Sequence, residues 1–460
     1  MPNISDLQLA AFSKIYGSGL SINDMWIKFL GSDGAAPLVV YPPTGVAATD
    51  TANIQSALTA ARLAGGGVVV LQTGTYVVTN AAHPSTASYN CALTIGSKTT
   101  LRGMGKGATT IQLAPSQASG QDVSQNHAII YNYNLGPGDA DINIERLTID
   151  GNAANQTHTI GGLCVMRVDR YSCFSVDVIN CRGTATSGIN ETFHFSVDLS
   201  SNVWFEGCTA RRTAGTTASG FSANGSTFVS YTSCHASGMT TTNGFTHNDC
   251  SGVLHVDCTS VLNAGHGFNS EVSKNVKYVS CVAGGTATTS TTAVPWNTSV
   301  SLGNTNNGFT ANGSLDYTTY VGCTGSNNAQ SGITTASCSI IIDGGVYKSN
   351  SAGLSITATS KVSGHPIVSG NTVSQYNIPS GYYDPLTNPN IVPTVPTSGT
   401  VLTNPHPFDC MVYVSGGTVS AIHSGGYPTG LTSGGFLIAA GMTIKLTYTV
   451  APSWVWVFGG

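Results

Sequence analysis

Short apolar runs alternate with Gly, Ser, Thr and Asn along most of this chain, and they recur at a nearly constant interval. Cysteines close several of these runs, with spacings of 27, 26, 24 and 23 residues, at Cys181, Cys208, Cys234, Cys258 and Cys281. A glycine followed by an apolar residue recurs with spacings of 32, 24, 23, 41, 24 and 21 residues, at Gly188, Gly220, Gly244, Gly267, Gly308, Gly332 and Gly353. Two independent markers with a shared period near 24 residues predict a parallel β-helix with one coil per repeat, because that length supplies three short strands and three turns.

The two markers also predict the role of each position within a coil. Equivalent positions of successive coils stack in a solenoid, so we expect the five cysteines to form a ladder of small buried thiols. The glycine is expected to serve a turn with positive φ, and the apolar residue after it to point into the core. The 41-residue interval contains an insertion, roughly residues 284–306, that we expect to project from a turn.

The twelve cysteines admit either a disulfide framework or a set of reduced core thiols. Their regular spacing favours reduced thiols, which fits synthesis in a reducing cytosol. No CxxC pair occurs, so we predict neither a metal site nor a cofactor.

Five segments are predicted along the chain. Residues 67–376 form the β-helix, and residues 35–66 form a linker and a capping helix. Residues 377–400 form a Pro-rich linker, and residues 401–460 alternate as strands of a β-sandwich-like module. Residues 1–34 read as two short helices that cannot bury enough apolar surface alone, so we expect this segment to dock on another structure.

The capping helix is needed because an open solenoid end exposes core and unpaired strand edges. We expect it to begin with Asp50 as its N-cap and to end at the three glycines that precede Val68. One face of this helix is predicted to be apolar, with Ile54, Ala57, Leu58 and Ala61.

Charge is scarce, at 8% of residues against about 25% in an ordinary soluble domain, and the net charge is −4. No basic block is present, so nucleic acid is not an expected partner. No run of 18 apolar residues exists, which predicts no membrane span. The first ten residues lack the basic start and apolar core of a secretory signal, so export by the usual route is not expected.

Several motifs resemble one group of proteins, and together they extend over nearly the whole chain. DTANIQSA (residues 50–57), running into GGGVVVL (65–71) and GTY (74–76), resembles the capping element of the pectate-lyase-like superfamily, which includes many phage tailspikes. LTIDGN (147–152) resembles a strand and turn common among tailspikes. ISDL (4–7) with GLSINDM (19–25) is similar to the N-terminal helical element of minor tail and other virion proteins of actinobacterial phages. The segment from PFD (407–409) to WVW (454–456) resembles the ends of such proteins.

This resemblance implies a right-handed parallel β-helix in a homotrimeric spike or fibre, made in the host cytoplasm and attached to the virion and its other proteins through residues 1–34. A physical reason for a trimer is the apolar run of residues 454–458, which a module of about 60 residues would struggle to bury alone. The alternative is that this run forms an edge strand within a monomeric sheet.

Alignment of the coils on the glycine marker places four polar residues at the same offset: Asn224, Asn248, Glu271 and Asn312. Adjacent coils stack about 4.8 Å apart, so these residues predict a polar stripe, with Glu191, His247 and Asp249 beside it. Asp249 and Glu271 lie on neighbouring coils. Two carboxyls about 5–5.5 Å apart suit a retaining glycosidase, and two carboxyls about 6.5–9.5 Å apart suit an inverting one. Asp249, Glu271, Glu191 and His247 are therefore the candidate catalytic residues.

The candidate substrate-binding residues are Asn224, Asn248, Asn312, Arg211 and Arg212. Each candidate has a structural alternative. The stripe is more simply explained as an asparagine ladder of stacked amides that stabilises a turn, since turns select Asn and Asp. The two arginines are compatible with contact to an acidic sugar or with a solvated turn.

Three functions fit these observations. The first is a structural virion protein, a trimeric tail or capsid spike that binds host surface glycan without catalysis. The alternative is a phage tailspike depolymerase that cleaves host polysaccharide as a hydrolase or lyase, and the third is a free secreted glycan-degrading enzyme. Fold resemblance alone does not decide among them.

Overall fold

The computed structural model describes residues 37–117, 126–157, 159–183, 193–212, 219–239, 242–284, 304, 306–313, 317–336, 339–356, 367–369, 371, 374–377, 394–404, 409–439 and 441–458. The predicted helices of residues 1–34, most of the predicted insertion and most of the Pro-rich linker lie outside these ranges.

The chain forms a right-handed parallel β-helix, as predicted, whose strands pair in parallel from coil to coil. One face is a sheet of twelve described strands, all parallel except the first pair, which is an antiparallel hairpin. Its strands are Ala81–His83, Thr86–Ile95, Asn126–Asn132, Gly161–Met166, Phe193–Asp198, Ser219–Asn224, Phe245–Asn248, Phe268–Glu271, Phe309–Asn312, Ser331–Ala336, Ala352–Ser355 and Ser374–Asn377.

The other two faces form one continuous sheet of twenty described strands, because two long strands bend around the corner between these faces. Its strands are Leu38–Val39, Gly67–Val70, Gly74–Val78, Thr99–Arg102, Thr109–Leu113, Asp139–Asp150, Val168–Ile179, Ser201–Glu206, Thr209–Arg211, Thr227–Thr232, His235–Ser237, Ser251–Val256, Thr259–Val261, Lys274–Val279, Val282–Gly284, Tyr317–Val321, Thr324–Ser326, Ser339–Asp343, Val346–Lys348 and Ile367–Ser369.

The interior of the solenoid is filled by columns of identical or similar side chains. Two aromatic columns face each other, with rings stacked 4.5 to 5.2 Å apart along each column. The first column contains Phe195, Phe221, Phe245, Phe268 and Phe309, and the second contains Phe205, Tyr231, His255, Tyr278 and Tyr320. Offset stacking of this kind adds to the hydrophobic stabilisation of a core.

A ladder of thiols runs along another inner corner, as predicted, but one of its expected members is wrong. The ladder contains Cys208, Cys234, Cys258, Cys281 and Cys323. Cys181 is not in it, because the residue paired with Cys208 on the preceding coil is Val176. Cys323 was missed because an insertion separates it from Cys281. The eleven described cysteines are free and buried, so the prediction of reduced core thiols is confirmed.

The recurring glycines lie in the twelve-strand sheet, and the reason for glycine differs from the one expected. Gly220, Gly244 and Gly267 precede the stacked phenylalanines, and none of them has a positive φ. A Cβ on Gly220 would lie 2.3 Å from the carbonyl oxygen of Gly244, and one on Gly267 would lie 2.6 Å from that of Gly308. Close approach of the next coil, and not turn geometry, therefore requires glycine there.

An asparagine ladder is present, at a different corner from the predicted stripe. The ladder consists of four buried residues, Asn263, Asn304, Asn328 and Asn350. The side-chain amide of each of the first three donates to the Oδ1 of the next asparagine in the ladder at 2.9–3.0 Å. The same oxygens accept the backbone N–H of the preceding asparagine at 2.8–3.3 Å. This ladder satisfies the backbone of the turn that precedes each strand of the twelve-strand sheet.

The N-terminal end of the solenoid is covered by a helix at Ala47–Leu63. Its buried face contains Ile54, Leu58 and Ala61, as predicted. Its N-cap is Val46, so the assignment of Asp50 as the N-cap is wrong. Asp50 is fully buried in the first turn, and its carboxylate accepts the N–H groups of Thr44 at 2.7 Å and Val77 at 3.1 Å, which ties the helix to the first coils.

The C-terminal module is a sandwich of two small antiparallel sheets. The four-strand sheet contains Val401–Thr403, Thr418–Ser424, Tyr427–Pro428 and Thr443–Val450, and the three-strand sheet contains Cys410–Ser415, Gly434–Ile438 and Ser453–Phe458. Trp454 and Trp456 are buried in its own core, at 6% and 3% exposure. The two tryptophans therefore need no trimer for their burial, but Val455 between them is 54% exposed, and the trimer stays a prediction. The run lies on an edge strand of the three-strand sheet, as the alternative had it.

Candidate functional site

The predicted polar stripe is present on the outer face of the twelve-strand sheet. Asn224, Asn248, Glu271 and Asn312 occupy the last position of four successive strands and pair directly with one another. They point outward because they alternate with the inward-facing column that contains Ala223. We call these four residues and Asp198, which pairs with Asn224, the outer stripe.

The outer stripe is open to solvent. Asn224, Asn248 and Glu271 are exposed, and Asn312 is half-buried. Within the part of the chain that the structure describes, no side-chain hydrogen bond joins these three asparagines, in contrast to the buried ladder at the other corner. The amide of Asn269, two residues before Glu271, donates to Glu271 Oε1 at 2.9 Å and holds that carboxylate beside the stripe.

Asp249 lies one residue beyond the stripe, in the turn that leaves the twelve-strand sheet. Its φ is 51°, in the left-handed region that Asn and Asp tolerate. Its N–H donates to the carbonyl oxygen of Glu271 at 3.1 Å, so the two residues are on neighbouring coils as expected. Both side chains are exposed, without the apolar enclosure that glycosidases use to keep a carboxylic acid protonated.

Asp198 is a stripe residue that the sequence alignment missed. Gly188, which marked this coil, lies outside the described residues, and the residue that pairs with Phe221 is Phe195. Asp198 follows Phe195 by three residues, as Asn224 follows Phe221 and Glu271 follows Phe268. Alignment on the phenylalanines, instead of on the glycines, would have found it.

The surroundings of Asp198 differ from those of the other stripe carboxylates. Burial raises the pKa of Asp198 to about 6, against a weaker opposing effect of the Ser196 hydroxyl 3.5 Å from its Oδ2. Asp198 pairs with Met166, which packs against an apolar cluster on the outside of the first coils. That cluster contains Cys91, Ala128, Tyr131, Leu135 and Cys164. Asp198 therefore stands at the border between an apolar enclosure and the open stripe.

His247 is in the core and not on the stripe, so its expected placement beside the carboxylates is wrong. It occupies the inward-facing column between Ala223 and Ser270 and is fully buried. Its Nε2 lies 2.7 Å from Nε2 of His255, which is equally buried. Burial lowers the pKa of His247 well below its usual range and that of His255 to about 3, so both rings are neutral.

The remaining candidates are not brought to the stripe. Arg211 ends the strand Thr209–Arg211 of the twenty-strand sheet and Arg212 follows it, so both precede Ser219, at the opposite end of Ser219–Asn224 from Asn224. Burial lowers the pKa of Arg212. Glu191 lies outside the described residues.

Neither a metal site nor a membrane-spanning helix is found among the described residues. Among the described residues, no group of three or more His, Cys, Asp or Glu side chains is arranged to hold a metal ion. In the same part of the chain, no helix has the length and apolar character to cross a bilayer.

No protein-family profile matches this chain. Mannuronan C5-epimerase AlgE3 of Azotobacter vinelandii is 34% identical over 116 residues, which are 25% of this chain and 6% of the epimerase, so the chain spans only a small part of that relative. The A-module of the Azotobacter vinelandii mannuronan C-5 epimerase AlgE6 is similar in structure, with a TM-score of 0.52 and 18% identity over 76% of this chain and 88% of that one.

Bacteriophage CBA120 tailspike protein 2 has a TM-score of 0.50 and 12% identity, over 93% of this chain and 71% of the tailspike domain. Identities this low establish the fold and no shared activity. The structural neighbours thus include a mannuronan C-5 epimerase module and a phage tailspike domain, and what this chain shares with them is the right-handed parallel β-helix fold.

Proposed function

We propose that this chain is a phage virion protein, a trimeric tail or capsid spike that binds a glycan on the host surface. The observation that carries this proposal is the outer stripe, a row of amide and carboxylate side chains in register on an exposed face. Its spacing of about 4.8 Å follows from the stacking of coils.

The stripe is not accounted for by folding. Asparagines do stabilise turns elsewhere in this solenoid, most regularly in the buried ladder of Asn263, Asn304, Asn328 and Asn350. The amides of Asn224, Asn248 and Asn312 are free to bond a ligand, since each offers both donors and an acceptor. A polymer rich in hydroxyl groups, laid along the solenoid axis, is the ligand that such a row matches.

The binding proposal is tested with the full chain on an array of bacterial surface polysaccharides. We expect the Asn224→Ala, Asn248→Ala, Asn312→Ala triple variant to lose at least about tenfold in affinity, because each lost polar contact costs about 0.5–1.5 kcal/mol. Retention on the array and the melting temperature are both measured.

The matched control is a Ser230→Ala, Thr232→Ala, Glu206→Gln variant, with changes on the outer face of the twenty-strand sheet. It is expected to bind as the unchanged protein does. Equal binding by both variants would exclude the outer stripe as the site. Failure of the unchanged protein to bind any polysaccharide on the array would contradict glycan binding itself.

The second candidate function is a polysaccharide-degrading enzyme, and the position of Asp198 favours it. A carboxylic acid with a pKa of about 6 is suited to proton transfer near neutral pH. The same array samples are assayed for new reducing ends. Release that is abolished by Asp198→Asn would establish this second function, whereas release abolished by Glu271→Gln and Asp249→Asn would identify the originally predicted carboxylate pair instead.

Attachment to the particle is the remaining part of the proposal. Residues 1–34 lie outside the described ranges, and their resemblance to the N-terminal element of virion proteins is the basis for assigning them as the anchor. A variant that lacks residues 1–34 is expected to remain soluble and to be absent from assembled particles. Incorporation of that variant would contradict the assignment.

A further inference from the structure

The turn that follows each strand of the twelve-strand sheet contains two rows of residues with left-handed backbone. The first row immediately follows the outer stripe and has φ between 48° and 60°: Arg167, Leu199, Gly225, Asp249, Val272 and Gly313. The second row lies three residues further along the coil and has φ between 51° and 73°: Arg170, Asn202, Phe228, Gly252 and Asn275. We call residues 199–202, 225–228, 249–252 and 272–275 the left-handed corner.

Three residues of this corner are poorly suited to their backbone conformation. Of the 21 described non-glycine residues with positive φ, four are apolar, and three of these four are Leu199, Phe228 and Val272. A left-handed conformation is costly for bulky and β-branched residues. At the same positions on adjoining coils the chain has Gly225, Gly313 and Gly252, which adopt the conformation without cost, so folding alone does not require large apolar side chains there.

The three side chains are also exposed, at 50% for Leu199, 67% for Phe228 and 46% for Val272. Burial in the core therefore does not offset the free-energy cost of their left-handed backbone conformation. Retained strain at an exposed position points to a role in contacting another molecule.

Each of the three side chains leans over a glycine of the next coil. A Cβ on Gly225 would lie 2.8 Å from Cδ2 of Leu199, and one on Gly252 would lie 3.1 Å from Cδ1 of Phe228. A Cβ on Gly313 would lie 3.8 Å from Cγ2 of Val272. The glycines leave room for these side chains to lie along the solenoid axis, so the apolar groups run parallel to the outer stripe.

We propose that the left-handed corner is the apolar half of the glycan site and that its ligand is an uncharged polysaccharide, an inference that rests on the function proposed above. Leu199, Phe228 and Val272 contact the C–H faces or methyl groups of successive sugar rings, which removes apolar surface from water. Hydroxyl groups at the edge of the same rings bond to the amides of the outer stripe.

The charges around the corner support an uncharged ligand. Asp198 and Glu271 lie beside it, Asp249 lies within it, and Lys274 is the one basic residue within the corner ranges. Arg167 and Arg170 occupy the equivalent positions on the preceding coil, where Arg170 is paired with Asp141 and Asp169. Three carboxylates repel a uronate polymer, and the two candidate arginines, Arg211 and Arg212, precede Ser219, which is at the opposite end of its strand from Asn224.

The test replaces the three apolar residues by asparagine in the full chain, as Leu199→Asn, Phe228→Asn, Val272→Asn. Asparagine is present at Asn202 and Asn275, the positions equivalent to Phe228, and it tolerates left-handed backbone at all three sites. We expect at least a tenfold loss of retention on neutral polysaccharides, no binding to uronate polymers by either protein, and a melting temperature that is unchanged or raised.

The matched control is Leu262→Asn, since Leu262 is the fourth apolar residue with positive φ and lies at another turn. It is expected to keep full glycan retention.

A triple variant that retains glycan normally, while the Asn224, Asn248 and Asn312 variant loses it, would overturn this inference and leave the proposed function intact. A melting temperature that falls in the triple variant and not in the control would show that the apolar residues stabilise the fold, which would overturn the inference. Binding of the unchanged protein to uronate polymers and to no neutral polysaccharide would exclude the proposed ligand class and would also overturn it. An unchanged protein that binds no polysaccharide on the array would end both proposals.

Discussion

At the scale of single residues, the buried pair of His247 and His255 is the most unusual feature of the core. On the preceding coil the same two positions hold Ala223 and Tyr231, and on the following coil they hold Ser270 and Tyr278. His255 continues the column of stacked rings, between Tyr231 at 4.6 Å and Tyr278 at 4.9 Å. The bond of 2.7 Å to His247 requires one Nε2 to donate and the other to accept, so the two Nε2 atoms cannot both be protonated while this bond is kept.

This pair makes stability sensitive to acid. The folded-state pKa values of both rings are lowered, that of His255 to about 3, whereas an unfolded histidine titrates near about 6.5. The unfolded state therefore binds more protons below about pH 6.5, and stability falls as the pH falls through that range. We expect a His247→Ala, His255→Tyr double variant, which copies the preceding coil, to have a shallower loss of melting temperature between pH 7 and pH 4.

The single variant His255→Tyr is the control for this prediction. It leaves the Nε2 of His247 buried without its partner, and we expect a cost of about 1–3 kcal/mol at pH 7. A double variant with the same pH dependence as the unchanged protein would show that other buried histidines, such as His194, dominate acid unfolding. Burial lowers the pKa of His194 to about 4.

Sequence patterns at this scale identified which residues recur but not the direction in which each points. His247 precedes Asn248 by one residue, and a one-residue offset in a strand reverses the face on which a side chain lies. The offset count therefore predicted the stripe correctly at Asn224, Asn248, Glu271 and Asn312 and misplaced His247. Asp198 was missed because the residue before Phe195 is His194 and not glycine, so its coil was aligned on Gly188 instead.

At the scale of elements, the two sets of asparagines provide an internal comparison. Asn328 is buried, accepts two hydrogen bonds from Asn304, and donates to Asn350 and to the carbonyl of Ala283. Asn312 is on the outer stripe. We expect Asn328→Ala to destabilise the solenoid by about 3 kcal/mol, because several buried polar groups lose their partner, and Asn312→Ala to change stability by less than about 0.5 kcal/mol.

Guanidinium unfolding followed by tryptophan fluorescence and by circular dichroism measures both changes. A similar shift of the midpoint for the two variants would mean that the outer stripe has a structural role after all.

The sequence alone could not separate the two sets, because both follow the period of the coil. Only the strand register assigns one set to the interior of a turn and the other to an outer face.

The period itself was the strongest sequence signal for the fold. It predicted the parallel solenoid and four of the five ladder cysteines, because any residue buried at the same point of each coil must recur with the coil length. Cys181 was assigned wrongly because Val176 holds the ladder position in its coil. The capping helix was predicted from its apolar face, whereas the role of Asp50 depends on contacts with Thr44 and Val77 that are distant from the helix pattern.

At the scale of the whole molecule, the C-terminal module offers a surface for the proposed trimer. Its tryptophans are internal, but the outer face of its three-strand sheet exposes Tyr413 at 49%, Leu437 at 57% and Val455 at 54%. Tyr413 pairs with Val455, and Leu437 pairs with Met411 on the same central strand, so these side chains form one patch. Exposed apolar patches of this kind are typical of subunit contacts.

We expect the full chain to be a trimer by native mass spectrometry and the Leu437→Lys, Val455→Lys variant to be a monomer, because burial of two lysines in the contact is unfavourable. Val450→Lys is the matched control, since Val450 is 58% exposed on the four-strand sheet. A monomeric unchanged protein would contradict the trimer. A variant that stays trimeric would place the contact elsewhere.

The strand pairing of the twelve-strand sheet keeps one register from Phe195 to Leu354. The pitch of the outer face is therefore set by the backbone and is independent of which side chains occupy it. A substitution on one coil alters a single contact and leaves its neighbours in place. A solenoid built in this way can exchange its outer residues coil by coil, and so adapt its outer face to a new ligand, without any rebuilding of its core.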